Sequence, residues 1–159
     1  MIVVSDATCL IGLSKIGYLY LLKEMFEKVY IPEEVYKETV IQGKGRWGAN
    51  EVKDADWIKV KPIKDRLAAG LLEANLSRGE AEVIILAKES NADLVILDEK
   101  KARNIAIMNN LNVGGTLGIL REAKLEGRID SVLSAVNRLR ETRFWIDDRI
   151  YQQILEEER

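Results

Sequence analysis

Residues 92–103 read ADLVILDEKKAR, and residues 1–8 read MIVVSDAT. Each stretch holds a short apolar run typical of a buried strand, and each reaches an aspartate, Asp98 or Asp6, at or just after the end of that run. Ligands of open parallel sheets bind just beyond the carboxyl ends of the strands. If the two strands are neighbours in one sheet, we expect their carboxylates to converge at that edge.

Apolar runs and segments of helical spacing alternate through the rest of the chain. We predict strands at 2–4, 29–31, 57–62, 94–97 and near 113. We predict helices at 10–26, 32–41, 66–76, 78–90, 99–110, 117–126, 130–141 and 147–158, with a glycine-rich loop at 42–50. The alternation indicates an α/β fold with a mostly parallel sheet, and 159 residues suit one domain with its own core.

The composition restricts the chemistry. There is no histidine and one cysteine, Cys9, which excludes Ser–His–Asp and Cys–His catalysis, histidine-based zinc sites and intramolecular disulfides. Hard cations with oxygen ligands remain as the natural metal partners. We expect Cys9 to be a small core residue and, because it is alone, the protein to be cytoplasmic. No apolar run is long enough for a membrane helix, so no membrane partner is expected.

Four acidic residues are candidates for a site, and each has an ordinary alternative. Asp6 and Asp98 also suit the N-cap positions of the helices that follow them. Glu80 completes a capping box with Ser77, in the pattern S-x-x-E. Glu38 lies near the apolar stripe of its helix, where a salt bridge and a functional role are about equally good explanations.

Together the four acids support a stronger hypothesis than any one of them. If they share a pocket, their negative charges repel one another unless a counter-ion is present. Mg²⁺ or Mn²⁺ would offset that repulsion, since both take carboxylate oxygens as ligands. With no histidine available, water activated by the cation is the most plausible nucleophile.

Five segments carry a family resemblance: VVSDAT (3–8), IPEEVYKETV (31–40), LSRGEAEVIILAKE (76–89), LVILDEKKAR (94–103) and VGGTLGIL (113–120). In that order they resemble the motifs of PIN-domain proteins, most closely a prokaryotic PIN-like subgroup with a GEAEAIALA-type helix, a strand ending in LDD or LDE, and a GTLGVL segment. The resemblance implies a three-layer α/β/α sandwich with a mostly parallel sheet. It covers 1–127 as the PIN-like domain, and 128–159 resembles the subgroup's C-terminal helices, expected to pack on the same domain.

Many PIN domains are Mg²⁺- or Mn²⁺-dependent ribonucleases, including VapC-like toxins of toxin–antitoxin pairs. The resemblance therefore implies an endoribonuclease, with RNA as substrate and a protein antitoxin as a further candidate partner. Carried over by motif, the site acids are Asp6, Glu38, Glu80 and Asp98, and the accessory residues are Thr8, Glu99 and Thr116. Thr116 has an ordinary alternative as the cap of the helix that follows it. This chain departs from its relatives in two places: it has Asp-Ala-Thr where they often have Asp-Thr-Ser, and it lacks their further Asp after the fourth acid.

Basic residues near these acids are candidate phosphate contacts, although the net charge of −2 argues against a generally basic surface. They are Lys44, Arg46, Arg78, Lys101 and Arg103, with Lys100 beside them; a solvated helix face is an equally good explanation for the two lysines. Trp47 in the glycine-rich loop suits stacking on a base, but packing on its own domain or at a subunit interface is the favoured prediction. The alternative function is a non-catalytic RNA- or protein-binding module, and a homodimer is expected in either case.

Overall fold

A five-stranded parallel sheet forms the centre of the computed structural model, which describes all 159 residues. The strands stand in the order β3-β2-β1-β4-β5, and all four pairings are parallel. Their bounds are β1 Val3–Ser5, β2 Val29–Pro32, β3 Ile58–Lys61, β4 Leu94–Ile96 and β5 Val113–Gly114. All five predicted strands are therefore present, within one or two residues of their expected ends.

Strands β1 and β4 are direct neighbours, with Val4 opposite Val95 and Ser5 opposite Ile96. The pairing continues past β1, because the Asp6 amide donates to the Ile96 carbonyl at 3.0 Å. The expected convergence of the first and fourth strands at one edge of the sheet is thus confirmed.

Ten α-helices and one π-helical turn surround the sheet. The helices are α1 Ala7–Lys15, α2 Tyr20–Phe26, α3 Glu33–Tyr36, α4 Ala49–Asp54, α5 Arg66–Leu72, α6 Arg78–Glu89, α7 Lys100–Met108, α8 Thr116–Leu125, α9 Val132–Glu141 and α10 Asp148–Glu157, with the π-helix at Lys37–Ile41. Val3 and Val4 are both fully buried although successive strand residues point to opposite faces, so the sheet is covered on both sides. The α/β sandwich predicted from the sequence is confirmed.

The predicted helix over 10–26 is wrong as one element. It is two helices, because α1 ends at Lys15 and the chain turns at Gly17, whose φ of +74° lies in the left-handed region. The Tyr18 amide then donates to the Leu13 carbonyl, closing the end of α1.

The segment 32–50 differs from its prediction in two ways. Pro32 ends β2 and precedes α3 instead of lying in the first helical turn, and the helix widens into the π-helix, as the bond from the Gln42 amide to the Lys37 carbonyl shows. The predicted loop at 42–50 is shorter than expected, because α4 begins at Ala49.

The C-terminal helices contribute to the same apolar core as the sheet. Val136 and Leu139 of α9 and Ile154 of α10 are fully buried within the cluster that also contains Val3 and Val95. None of the helices combines the length and the apolar character that spanning a membrane requires.

Candidate active site

The Asp6 carboxylate lies at the junction of β1 and β4, where it is only 4% exposed. One carboxylate oxygen accepts from the Cys9 amide at 3.0 Å, so Asp6 is the N-cap of α1. The other accepts from the Asp98 amide at 3.1 Å. The capping role considered for Asp6 is therefore correct, and the same side chain also links the ends of two strands.

Asp98 does not cap the helix that follows it. Glu99 is the N-cap of α7 and accepts from the Ala102 amide at 3.0 Å. The Asp98 carboxylate instead accepts from Thr116, at 2.8 Å from the amide and 2.5 Å from the hydroxyl. Thr116 is likewise the first residue of α8 and not its cap, since Gly115 holds the N-cap position.

Glu38 and Glu80 reach the same edge from helices. A cleft of about 150 Å³ is lined by Asp6, Ala7, Thr8, Val35, Glu38, Ser77, Gly79 and Glu80. Glu80 forms the predicted capping box, accepting from the Ser77 amide at 3.0 Å while the Ser77 hydroxyl accepts from the Glu80 amide. Three of the four acids therefore border one cleft, and the fourth, Asp98, is next to Asp6, to which its backbone amide donates.

The start of α6 and the π-helix that carries Glu38 approach each other closely at Gly79. A Cβ atom built at this position would overlap the Glu38 carboxylate. Any larger residue at position 79 would therefore displace the Glu38 carboxylate from its present place in the cleft.

Burial and mutual repulsion shape the electrostatics of the site. Burial, and then the neighbouring Asp98 carboxylate, raise the pKa of Asp6 to about 8. Burial also raises the pKa of Asp98, although its bonds from Thr116 and the nearby Arg103 act in the opposite direction. For Glu38 the pKa is raised by burial and then by Glu34, Glu80 and Glu82.

The residues present are of the types that bind a hard divalent cation, but they do not form a complete set of ligands for one. No set of three or more acidic or thiol side chains is close enough to hold a metal ion as placed. Glu80 is turned back to Ser77 and Asp98 to Thr116, and such hydrogen bonds are worth only about 1–3 kcal/mol each. The donor set itself, carboxylate oxygens around a cleft with no cation paired to Asp6, fits Mg²⁺ or Mn²⁺.

The accessory and basic candidates fall into three groups. Thr8 is exposed on the cleft wall, while Lys44, Arg46 and Lys101 are exposed and form no ion pair. Arg103 lies beside Asp98, with its guanidinium donating to the Leu97 carbonyl at 3.0 Å. Arg78 is the exception: its Nε lies 3.7 Å from Glu34 and 3.5 Å from Glu82, so its charge is already shared with two carboxylates.

Sequence reasoning missed Glu82, which is only 2% exposed. Its carboxylate accepts from Arg66 at 2.8 Å and from the Glu34 amide at 3.3 Å, tying α6 to α5 and α3. The available signal was a glutamate inside the apolar run AEVIILA, four residues after an arginine. Cys9, by contrast, is the buried core residue expected, and burial raises the pKa of its thiol well above the ordinary value.

Comparison with known families gives one match. A family model described as a PIN domain matches residues 2–158, nearly the whole chain. A comparison with curated proteins finds no significant match. PIN domains are generally nucleases that use divalent metals, which agrees with an acidic cleft at the carboxyl edge of a parallel sheet. This chain belongs to the PIN-domain family.

Proposed function

We propose that the protein is a metal-dependent endoribonuclease that hydrolyses RNA phosphodiester bonds at the acidic cleft. The observation that carries the proposal is the placement of Asp6. Its carboxylate is buried beside Asp98 and borders a cleft with Glu38 and Glu80, and no Lys or Arg neutralises it. A charge left uncompensated in this way is costly, and a cation is the simplest partner for it.

The side chains divide the work. Asp6, Glu38, Glu80 and Asp98 would hold Mg²⁺ or Mn²⁺, and a bound ion of this kind supplies an acidified water together with electrostatic stabilisation of the departing oxygen. Thr116 fixes the orientation of Asp98 through two bonds, and the buried amides of Cys9 and Asp98 fix Asp6. These bonds place the two aspartates before any ligand arrives, which reduces the reorganisation needed for reaction.

The basic residues would orient the substrate backbone. Arg103 lies beside Asp98, and Lys101, two residues earlier in the first turn of α7, is exposed. Lys44 and Arg46 are exposed on the loop that leads away from Glu38. Arg78 contributes less in this scheme, because Glu34 and Glu82 already balance its charge.

The test is cleavage of short labelled RNAs in Mn²⁺ or in EDTA. Wild type should cut only with metal, and Asp98→Asn should lose at least about 100-fold in rate, as removal of a group that stabilises developing charge typically does. Asp56→Asn is the matched control, because Asp56 is an exposed aspartate just before β3, at the opposite edge of the sheet. Equal cleavage by Asp98→Asn and wild type would remove the proposal.

A non-catalytic binding module is the second candidate. It is favoured by one observation: Asp6 and Glu80 serve as helix caps, and no three acids stand at metal-binding distance. Thermal melts with Mn²⁺ separate the two, because a cation that binds only the folded protein raises its melting temperature. Absence of both cleavage and Mn²⁺ stabilisation would favour the binding module.

A toxin role, with a protein antitoxin and a homodimeric state, is the finer part of the proposal and rests on the family resemblance alone. Expression of wild type and Asp98→Asn in growing cells tests it. Growth arrest by wild type but not by the variant supports a toxin. Unimpaired growth with an enzyme that cleaves RNA in vitro argues against one.

A further inference from the structure

A second and larger cleft opens beside the acidic one, and Glu38 borders both. Its volume is about 800 Å³, within the range of about 300–1,000 Å³ typical of small-molecule sites. The residues that line it include Lys15, Thr39, Gln42, Arg46, Trp47 and Asn50. Seven of its eleven lining residues have polar or charged side chains, so the cleft suits a ligand with several hydrogen-bonding groups.

Thr39 gives an independent sign of a ligand. The residue is only 1% exposed, and its hydroxyl has no hydrogen-bond partner although it lines the cleft. Leaving a buried hydroxyl unpaired is energetically costly. Thr39 lies in the π-helix next to Glu38, and such widened turns are rare and frequent at functional sites. A polar group entering the cleft would satisfy this hydroxyl.

Trp47 stands on the wall of this cleft with 62% of its surface exposed. The packing on its own domain favoured from the sequence is therefore at most partial. The loop is anchored next to Trp47, because Gly48 is buried, a Cβ atom built there would lie against Ile11, and the Gly48 amide donates to Glu51. The indole is thus an open flat surface on an anchored loop, beside an unpaired guanidinium at Arg46.

We propose that this cleft binds a nucleotide of the RNA adjacent to the scissile phosphate, with its base stacked on Trp47 and hydrogen-bonded to Thr39. The inference rests on the proposed function and adds to it a subsite for one unstacked base. The amides of Gln42 and Asn50 each carry a donor and an acceptor for base edges, and Arg46 lies within reach of the backbone. A base inside a duplex cannot enter, because it is stacked and paired.

The first arm of the test measures cleavage by Trp47→Ala, Trp47→Phe and Trp145→Ala. Stacking of one base on an aromatic side chain is worth about 1–3 kcal/mol, or roughly 5- to 150-fold. We expect Trp47→Ala to lose that factor in kcat/KM, mainly through KM, and Trp47→Phe to retain most activity. Trp145→Ala is the control, since Trp145 is 80% exposed and borders neither cleft.

The second arm changes the substrate and Thr39. An RNA with a single abasic position moved along the strand should be cut poorly by wild type at one register, and Trp47→Ala should not distinguish it from the intact RNA. Thr39→Val removes the unpaired hydroxyl at nearly constant shape. It should raise the melting temperature of the free protein while lowering kcat/KM severalfold, a combination that a purely structural threonine would not give.

The outcomes separate the subsite from the nuclease. Asp98-dependent cleavage that is equal in Trp47→Ala and wild type, with no abasic effect, overturns the subsite and leaves the nuclease intact. If wild type cuts no RNA, titration of nucleoside monophosphates into a Trp57→Phe/Trp145→Phe variant reports on Trp47 fluorescence alone. Saturable quenching would then support a base-binding cleft in a protein that is not a nuclease. No quenching would contradict both the base-binding cleft and the nuclease.

Discussion

Asp6 lines the acidic cleft and Glu82 lies in α6 nearby; both carboxylates are buried, but their surroundings are opposite. Glu82, 2% exposed, receives Arg66 at 2.8 Å, Arg78 at 3.5 Å and a backbone amide. Asp6, 4% exposed, receives two backbone amides and faces another carboxylate, with no cation. Glu82 is therefore a completed structural ion pair. Asp6 has no positively charged partner, and this difference is the reason that the proposed cation site includes Asp6 and not Glu82.

The largest expected contrast is in activity. Asp6→Asn should lower RNA cleavage by at least about 100-fold, because it removes a ligand charge that hydrogen bonds alone do not replace. Glu82→Gln should remain within about threefold of wild type in the folded protein, because Glu82 is an ion-pair partner that lines neither cleft. Cleavage rates in saturating Mn²⁺ measure both. Similar losses in the two variants would mean that Asp6 acts only through the fold.

The pH dependence of stability should reveal the charge of Asp6 in metal-free protein. Its pKa is raised from 3.8 to about 8, so between these values the folded protein retains a proton that the unfolded chain releases. The free energy of unfolding should therefore fall as pH rises from about 4 to 8, by several kcal/mol from this group.

Urea unfolding in the presence of a chelator measures that slope. Subtracting the Asp6→Asn curve from the wild-type curve isolates Asp6 from groups such as Glu158, whose pKa is lowered and which acts in the opposite direction. Asp56→Asn should keep the wild-type slope. A wild-type curve parallel to that of Asp6→Asn would show that Asp6 is not held as an uncompensated buried acid.

Glu82→Gln should have the converse effect on stability. It removes the charge that Arg66 and Arg78 share but keeps an acceptor for the Glu34 amide, so a loss of about 1–2 kcal/mol is expected. The guanidiniums are about half exposed, which keeps the loss below that of a fully buried pair. Chemical denaturation at pH 7 measures it. An increase in stability would contradict the assignment of Glu82 as a structural partner.

A smaller effect is expected from Gly79→Ala. The added Cβ displaces the Glu38 carboxylate, so affinity for Mn²⁺ should fall by roughly tenfold, or about 1.4 kcal/mol, while the helix itself tolerates alanine. Gly70→Ala in α5 is the control, because its Cβ meets no atom within 4 Å. That variant should bind Mn²⁺ normally and gain up to about 1 kcal/mol of stability from helix propensity. Unchanged Mn²⁺ affinity in Gly79→Ala would show that Glu38 does not contribute to Mn²⁺ binding.

Local pattern was enough for the sheet and for part of the site. The apolar runs before Asp6 and Asp98 located two strands, and their parallel pairing as neighbours, which the sequence left conditional, brings their ends together. The capping box at Ser77 and Glu80 was readable because its spacing is fixed by one helical turn. Such features depend on residues close in sequence or on rules of chain topology.

The remaining features depend on contacts that sequence spacing does not encode. The π-helix at Lys37–Ile41 accommodates neighbours from α1 and α4, and no periodicity rule distinguishes it from an ordinary helix. Thr116 was an accessory candidate with a helix cap as its alternative, and nothing local shows that its hydroxyl donates to Asp98, eighteen residues earlier. The alignment of Glu82 with Arg66 likewise becomes visible only when α5 packs on α6.

Calorimetric titration of Mn²⁺ into metal-free protein tests most directly whether Asp6 and Asp98 belong to one cation site. Wild type and Asp56→Asn should show the same saturable binding, and Asp6→Asn and Asp98→Asn should each lose at least about tenfold in affinity, since both remove a charged ligand. Wild type that binds no Mn²⁺, or binds it equally well in all four proteins, would contradict the account.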